Sequence, residues 1–200
     1  MNHSLKENTR ERILLATAEL MKQKGYKAVT TKAIATEAKL NESTIFRQFG
    51  SKKNILDALI ERFSYYQGIK EIYEHQLTWN LYEDLAAFTI EYQRFMKENG
   101  EFILIGLKEA GEYPELDERV SEVPKHTKEI LMKYLSTMAE KGCIPYQDFE
   151  AAAMSFIWMN LGFFLSTSLY GDAISQVSMQ DFLKTSIRIF ASGLRGDITP

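Results

Sequence analysis

The chain has 200 residues, of which 45% are hydrophobic and 12% aromatic, so it is rich enough in apolar residues to bury a core and unlike a disordered chain. Its single cysteine, Cys143, cannot form an internal disulfide, and no uninterrupted apolar run reaches the roughly eighteen residues of a membrane span. The polar start of the chain is unlike a secretory signal. We therefore expect a cytoplasmic protein with no membrane partner.

The net charge of −3 conceals a strong asymmetry along the chain. Residues 1–53 carry eleven Lys or Arg against five Asp or Glu, whereas residues 54–200 carry thirteen against twenty-two. A basic end joined to an acidic remainder indicates that one end meets a polyanion. Charge segregation is also compatible with ordinary solvated faces, so it supports a function only together with a motif.

Helical periodicity appears in the first fifty residues. Residues 10–26 predict an amphipathic helix that stops near Gly25. A short helix follows the capping residue Thr30, and a third runs from Asn41 to Phe49. Two short helices joined by a tight turn, with polar side chains on the second, predict a helix-turn-helix, although an ordinary helical corner has the same pattern.

The rest of the chain has no alternating strand pattern, so the predicted fold is all-α. Ser178 followed by Asp181 resembles a capping box at the start of the last helix. We predict an N-terminal helix-turn-helix three-helix domain over residues 1–51 and a larger C-terminal helical domain over residues 52–200. The helices predicted after residue 51 are 52–74, 81–98, 101–111, 116–141, 148–170 and 179–194.

The string "TTKAIATEAKLNESTIFRQFGSK", residues 30–52, resembles the DNA-binding domain of the TetR family of transcriptional repressors. The residues that carry the resemblance are Thr30 and Thr31, Ile34 and Ala35, the turn at 39–41, Thr44 to Phe46, Phe49 and Lys52. It is specific over residues 10–60; beyond them, only the length, the helical character and the order of segments match.

The resemblance implies that one set of residues meets double-stranded DNA. Thr31 and Lys52 match positions that contact phosphates, and a hydroxyl and an ammonium both suit anions. Arg47 and Gln48 are the best candidates for base contacts, because Arg pairs with guanine and Gln with adenine through two hydrogen bonds each. The DNA-binding set is Thr31, Lys32, Ser43, Thr44, Phe46, Arg47, Gln48 and Lys52, whereas Ile45 and Phe49 are expected in the core.

Three residues depart from the family pattern. Phe46 stands where Tyr is usual, so one phosphate hydrogen bond should be missing, and Ser43 replaces a smaller residue. Lys39 stands in the turn where the family usually has Gly. Either the backbone at this position is right-handed or Lys39 bears a strained conformation.

A single helix-turn-helix contacts only a few base pairs, so useful specificity requires a dimer that places two recognition helices on one face of DNA. The last two long helices are the candidate homodimer interface, as the resemblance also implies. A helix pair buried inside a monomer is the alternative. The predicted interface residues are Ala152, Ser155, Met159, Phe163, Phe182, Ile189 and Phe190.

The C-terminal domain is also expected to bind a small lipophilic effector. In this hypothesis, aromatic and Met residues at helical spacing line an apolar pocket between helices. Such residues more often simply form a core. The candidates are Phe88, Tyr92, Phe95, Phe102, Ile105, Met132, Phe156 and Asn160. Asn160 either orients a ligand or pairs across the dimer, since an apolar core alone does not satisfy its amide. In the family mechanism the effector shifts the protein away from the DNA-binding arrangement, with the helix 52–74 as the lever.

An enzyme and a protein-interaction module are the competing interpretations. His3, His75 and His126 are far apart, and no phosphate loop or nucleophile elbow occurs, so no catalytic site, metal or cofactor is predicted. A helical module that binds proteins without sequence-specific DNA binding remains open. The sequence therefore favours a ligand-responsive transcriptional regulator, with repression as the family's commoner outcome, and leaves the effector and the operator open.

Overall fold

The computed structural model describes residues 2–62, 66–108, 110–111 and 114–196, and within these residues the chain is helical and contains no strand. The all-α prediction is confirmed. The α-helices are α1 Asn2–Ala28, α2 Thr31–Glu37, α3 Glu42–Phe49, α4 Lys52–Arg62, α5 Tyr66–His75, α6 Leu81–Lys108, α7 Pro114–Glu140, α8 Phe149–Tyr170, α9 Met179–Asp181 and α10 Arg188–Arg195.

The chain divides into two compact units. The head unit comprises residues 1–64 and 101–121, and the body unit comprises residues 65–100 and 122–200. Both units therefore use sequence from the middle of the chain as well as from one end. The boundary after residue 51 stays a prediction about independent domains.

The core of the head unit is built from the inner faces of α1 to α4. Ile13, Ile34, Ile45 and Ile55 have no exposed surface, so each helix contributes at least one fully buried branched side chain. Gly25 breaks the helical path of α1 with φ 75° and ψ 162°, at the position where the sequence predicts the helix to stop. Removing these apolar faces from water is the main force that holds the short helices together.

The predicted break at Gly100 is wrong, because α6 continues through this residue as far as Lys108. The glycine serves packing instead of termination: a Cβ at this position would lie 3.2 Å from the ring of Phe164. A glycine inside a helix costs about 1 kcal/mol relative to alanine, and here the missing Cβ leaves room for the Phe164 ring to pack against the backbone of α6.

The predicted helix 52–74 corresponds to α4 and α5, which lie on either side of residues 63–65. These three residues are outside the described part of the chain, so the continuity of the proposed lever stays a prediction. The start of α4 agrees with the sequence, since the Asn54 amide donates to Ser51 Oγ at 3.2 Å.

A buried carboxylate joins α6 to α7 in the body unit. Asp84 is 1% exposed and accepts hydrogen bonds from the amide and the hydroxyl of Thr78, both at 2.8 Å, and from the hydroxyl of Tyr134 at 3.0 Å. Burial, followed by the neighbouring charge of Asp84, raises the pKa of Tyr134 well above its usual range. The phenol therefore stays protonated and remains a donor to the carboxylate.

The last helical segment begins with the predicted capping box. The Asp181 amide donates to Ser178 Oγ at 3.2 Å, and the Ser178 amide donates to Asp181 Oδ2 at 3.3 Å. After this first turn the backbone is π-helical over Phe182–Ile187 and α-helical again in α10. The sequence predicts one continuous α-helix here, so the π-helical segment is a difference from the prediction.

Candidate functional site

α2 and α3 are two short helices joined by a turn, and their N-terminal ends are capped differently. Thr30 Oγ1 accepts a hydrogen bond from the Ala33 amide at 3.1 Å and so caps α2. Asn41 occupies the cap position of α3 in an extended conformation, but its side chain makes no capping hydrogen bond. α3 ends at Gly50, whose φ of 74° is easily adopted only without a Cβ.

α3 has one buried and one exposed face. Ile45 is fully buried and Phe49 nearly so, as predicted. Ser43, Phe46 and Arg47 are exposed. The inner pair thus anchors the helix on the head core while the outer face presents a hydroxyl, an aromatic ring and a guanidinium to solvent, a chemistry that suits base edges and thymine methyl groups. Of the remaining predicted contacts, Lys32 is exposed, and Thr31, Thr44, Gln48 and Lys52 are partly buried.

Thr31 makes a contact that the sequence does not reveal. Its hydroxyl donates to Glu42 Oε1 at 2.6 Å, so a carboxylate lies beside a predicted phosphate contact. Glu42 is in the first turn of α3, where the helix dipole favours a negative charge. A DNA phosphate that accepts a hydrogen bond from the Thr31 hydroxyl must therefore replace the Glu42 carboxylate as the acceptor or lie close to its negative charge.

Lys52 also has a role within the head unit. Its ammonium donates to the carbonyls of Tyr26 at 2.8 Å and Val29 at 2.9 Å, and it lies 4.0 Å from the centre of the Tyr26 ring. It thereby satisfies carbonyl groups at the end of α1 and joins this segment to the start of α4. The predicted phosphate contact by Lys52 stays a prediction beside this structural role.

Of the two alternatives for the turn between α2 and α3, a right-handed backbone at residue 39 or a strained Lys39, the structure has the strained Lys39. Lys39 has a φ of 53°, in the left-handed region that costs a residue with a Cβ about 1–2 kcal/mol. Arg12 of α1 donates from Nη2 to the carbonyls of Ala38 and Lys39, the latter at 3.2 Å. The sequence raises the strain as a possibility but gives no indication of Arg12.

α8 exposes an apolar face in the body unit. Trp158 is 61% exposed, and Gly162 has open space where a Cβ would lie. This α8 face consists of Ala151, Ser155, Trp158, Gly162 and Leu169, which recur at helical spacing. A large ring flanked by small residues leaves room for a second helix to approach closely.

The predicted interface residues do not all lie on this face. Ser155 and Ile189 are exposed, Met159, Phe163 and Phe190 are partly buried, and Ala152 and Phe182 belong to the core of the subunit. Phe182 stacks on Phe163 with ring centres 4.3 Å apart, so its ring is already covered within the subunit. The prediction omits Trp158, although its spacing from Ser155 and Gly162 indicates the shared face.

By length and composition alone, the stretch Phe149–Ala173 is apolar enough to cross a membrane. Core and interface helices of soluble proteins pass the same test, so this is weak evidence for a membrane segment.

The predicted effector residues are divided between the two units. Phe88, Tyr92, Phe156 and Asn160 are buried in the body unit, where Phe95 and Met132 are partly buried. Ile105 packs against the core of the head unit instead. The side chain of Phe102 lies outside the described part of the structure.

Polar groups occur inside the apolar body unit. Asn160 is fully buried; its Nδ2 donates to the Phe156 carbonyl at 2.9 Å, and Gln93 Nε2 donates to its side-chain Oδ1 at 3.3 Å and to its main-chain carbonyl at 2.9 Å. Its amide is therefore satisfied inside the subunit, which removes the reason to pair it across a dimer. Among the described residues, Thr89 Oγ1 is the buried side-chain polar atom without a hydrogen-bond partner. In the same part of the chain, no three His, Cys, Asp or Glu side chains are grouped so that they could hold a metal ion.

The two short helices, the turn and the exposed polar face of α3 define a helix-turn-helix protein. Residues 13–59 match the family model described as bacterial regulatory proteins, tetR family. Residues 84–193 match the model described as AefR-like transcriptional repressor, C-terminal domain. The chain therefore belongs to the TetR family of bacterial transcriptional regulators, as the resemblance in residues 30–52 indicates.

One relative in sequence agrees with this assignment, and two solved structures share the fold. The chain is 32% identical over 189 residues to the HTH-type transcriptional regulator YvkB of Bacillus subtilis (strain 168), covering 94% of this chain and 98% of the relative. GusR of Salmonella enterica has a similar fold, with a TM-score of 0.74 and 21% identity over 94% of this chain and 95% of that one. FadR of Bacillus subtilis, solved in complex with stearoyl-CoA, has a TM-score of 0.73 and 19% identity over 92% of this chain and 98% of that one.

Proposed function

We propose that this protein is a cytoplasmic repressor that binds a palindromic DNA operator as a homodimer and is released by a small lipophilic effector. The observation that carries the proposal is the two-faced α3: Ile45 and Phe49 are buried, while Ser43 and Arg47 are exposed. A helix held rigidly by its apolar side can present the other side to the major groove without losing its packing.

Base contacts come from the exposed face of α3. Arg47 is the main candidate, since its guanidinium can donate two parallel hydrogen bonds to guanine. Gln48 is partly buried, so it is a weaker candidate for a base contact than the exposed Arg47. Lys32 and Thr31 at the start of α2 meet phosphates, which fixes the orientation of α3 in the groove.

The α8 face supports the homodimer. A large exposed Trp beside Gly162 is typical of helix pairs in which a side chain of one subunit packs over the small residues of the other. Ile189 of α10 is 60% exposed and is a second apolar side chain that the other subunit would cover. A twofold pair of subunits places two copies of α3 about one helical turn of DNA apart.

The body unit supports an effector that is largely apolar and carries a polar group. Phe88, Tyr92 and Phe156 provide buried aromatic surface. Thr89, which follows Phe88 in the sequence, has a buried hydroxyl without a hydrogen-bond partner that a polar group of the effector could use. The structural neighbour FadR, solved with stearoyl-CoA, supports a lipophilic class. By the linkage of two sites, an effector that prefers a dimer arrangement unable to match both half-sites lowers the affinity for DNA.

Selection from random DNA duplexes tests the proposed function. The purified protein is incubated with the pool at moderate salt, and the bound DNA is sequenced. We expect enrichment of a palindrome with half-sites about one helical turn apart, and an affinity that falls steeply with salt because phosphate contacts release counterions. A folded dimer that enriches no sequence, before and after extraction of bound lipophiles, would favour the protein-interaction module instead.

Addition of a long-chain fatty acid or its acyl-CoA to the selected complex tests the effector. We expect release of the DNA at probe concentrations that leave the dimer intact. If neither probe changes the affinity for the operator, a lipophilic acyl effector is wrong for this chain.

A further inference from the structure

The turn between α2 and α3 closes α2 by a defined hydrogen-bond pattern. The Leu40 amide donates to the Ala35 carbonyl at 2.8 Å, and the Lys39 amide donates to the Thr36 carbonyl at 3.1 Å. This pair of bonds is the Schellman arrangement, in which the residue after the cap has a left-handed backbone and is usually Gly. Here that residue is Lys39, with a φ of 53°.

The Schellman bonds hold the amides of the turn but not the carbonyls on either side of Lys39. Those carbonyls, of Ala38 and of Lys39 itself, both accept hydrogen bonds from Arg12 Nη2. The two peptide groups that flank a residue define its φ and ψ. A single guanidinium bonded to both therefore holds the backbone of Lys39 in place from the outside.

We propose that Arg12 is a positioning residue for DNA binding: it keeps Lys39 in the left-handed conformation and thereby fixes the orientation of α3 relative to α2. The DNA part of this inference rests on the proposed function, but the effect on the turn does not. Arg12 is suited to the task because Nη2, at the far end of its side chain, carries two N–H donors in a fixed plane, whereas a lysine ammonium ends one bond nearer the backbone and its donors rotate freely. Lys39 is exposed, so the same conformation leaves its ammonium in solvent beside the helix-turn-helix.

The turn itself gives the first test, by NMR hydrogen exchange of the whole protein without DNA. Arg12→Met is expected to speed exchange of the Lys39 and Leu40 amides about tenfold while leaving the amides of the head core unchanged. Adding Lys39→Gly should return these rates to near the wild-type value, because glycine adopts the left-handed backbone without strain. Arg12→Lys, which keeps the charge, should behave like Arg12→Met.

Arg10→Met is the matched control. Arg10 is on the same helix and lies 4.5 Å from the centre of the Phe49 ring, so it supports α3 without touching the turn. It should leave the exchange of the Leu40 amide unchanged. Equal acceleration of all head-unit amides by Arg12→Met, or no reversal by Lys39→Gly, would show that Arg12 is only a general anchor and would overturn the proposal.

DNA binding gives the second test, on the duplex obtained by selection. Arg12→Met and Arg12→Lys should each weaken binding about tenfold, and Lys39→Gly should restore most of the affinity, apart from the loss measured for Lys39→Gly alone. Losses that Lys39→Gly does not reverse would overturn the role in DNA binding. If the wild-type protein selects no sequence, the proposed function fails by itself and the exchange experiment still decides the role of Arg12.

Discussion

α3 and α8 are both helices with one buried face, and they differ in what the other face offers. α3 exposes Ser43 and Arg47, whose donors suit DNA bases, whereas α8 exposes Trp158 beside Gly162, which suits the packing of another helix. The chemistry of the outward face, and not the helical periodicity, indicates the kind of partner. The comparison also orders the effects: a charge placed in an apolar interface costs more free energy than one lost base contact.

The largest effect is expected from Trp158→Glu. A carboxylate at this position would be buried without a partner in the proposed homodimer, so this dimer should weaken by about 3 kcal/mol or more, roughly a hundredfold. Sedimentation equilibrium over a range of protein concentrations measures this change. Ile90→Glu is the control, since Ile90 is an isoleucine of α6 that is 52% exposed and lies outside the α8 face. An unchanged dimer in Trp158→Glu would remove the α8 face from the proposed interface.

Arg47→Ala tests the polar side of the comparison. We expect a loss of about 1–3 kcal/mol in operator affinity, concentrated at one base position, because the paired donors to one guanine are removed. Fluorescence anisotropy with single-base variants of the selected duplex measures both effects. Arg94→Ala, an exposed arginine of α6, is the charge-matched control. An equal loss of affinity on every duplex would instead indicate that Arg47 contacts the phosphate backbone.

Lys52→Met separates a structural role from a DNA contact. Loss of the hydrogen bonds to the Tyr26 and Val29 carbonyls should lower the free energy of unfolding by about 1–3 kcal/mol. If Lys52 also meets a phosphate, affinity for all duplexes falls uniformly as well. Urea denaturation gives the first quantity and anisotropy the second, with the exposed neighbour variant Lys53→Met as control. An unchanged unfolding midpoint would mean that the two carbonyls are equally well satisfied by water.

Glu42→Gln should have the smallest effect. Removing the charge beside Thr31 should strengthen binding to every duplex by about 0.5–1 kcal/mol, because a partly buried carboxylate that still contacts water repels a phosphate only weakly. Base preference should not change. Glu37→Gln, an exposed acid at the end of α2, controls for net charge. A larger gain for Glu37→Gln than for Glu42→Gln would separate the effect from the Thr31 contact.

Local signals predict much of the head unit. Thr30 and Gly50 act at the ends of helices and Gly25 breaks the helical path of α1, as their chemistry indicates, and Ile45 and Phe49 are buried as their spacing indicates. These features depend on a few neighbouring residues, so a single sequence contains enough information to predict them.

The missed features depend on partners that are distant in the sequence. The hydrogen bonds of Thr31 and Lys52 join residues 11 to 26 positions apart, and no periodicity encodes them. The reason for a glycine at position 100 is its packing against Phe164 of another helix, and not the end of a helix that its local sequence predicts. Phe182 and Ile189 share one side of a regular α-helix but not of a helix with a π-helical segment between them, which is why one is buried and the other exposed.

The π-helical segment Phe182–Ile187 has a consequence for how this chain would recognise its own copies. A π-helical turn accommodates one residue more than an α-helical turn, so deletion of one residue in this segment would rotate α10 by about 100° relative to α9. Ile189 would then leave the surface without any substitution of an interface residue. In the proposed homodimer, a copy shortened by one residue here would present a different surface from the full-length chain, so two identical copies would pair better than a mixed pair.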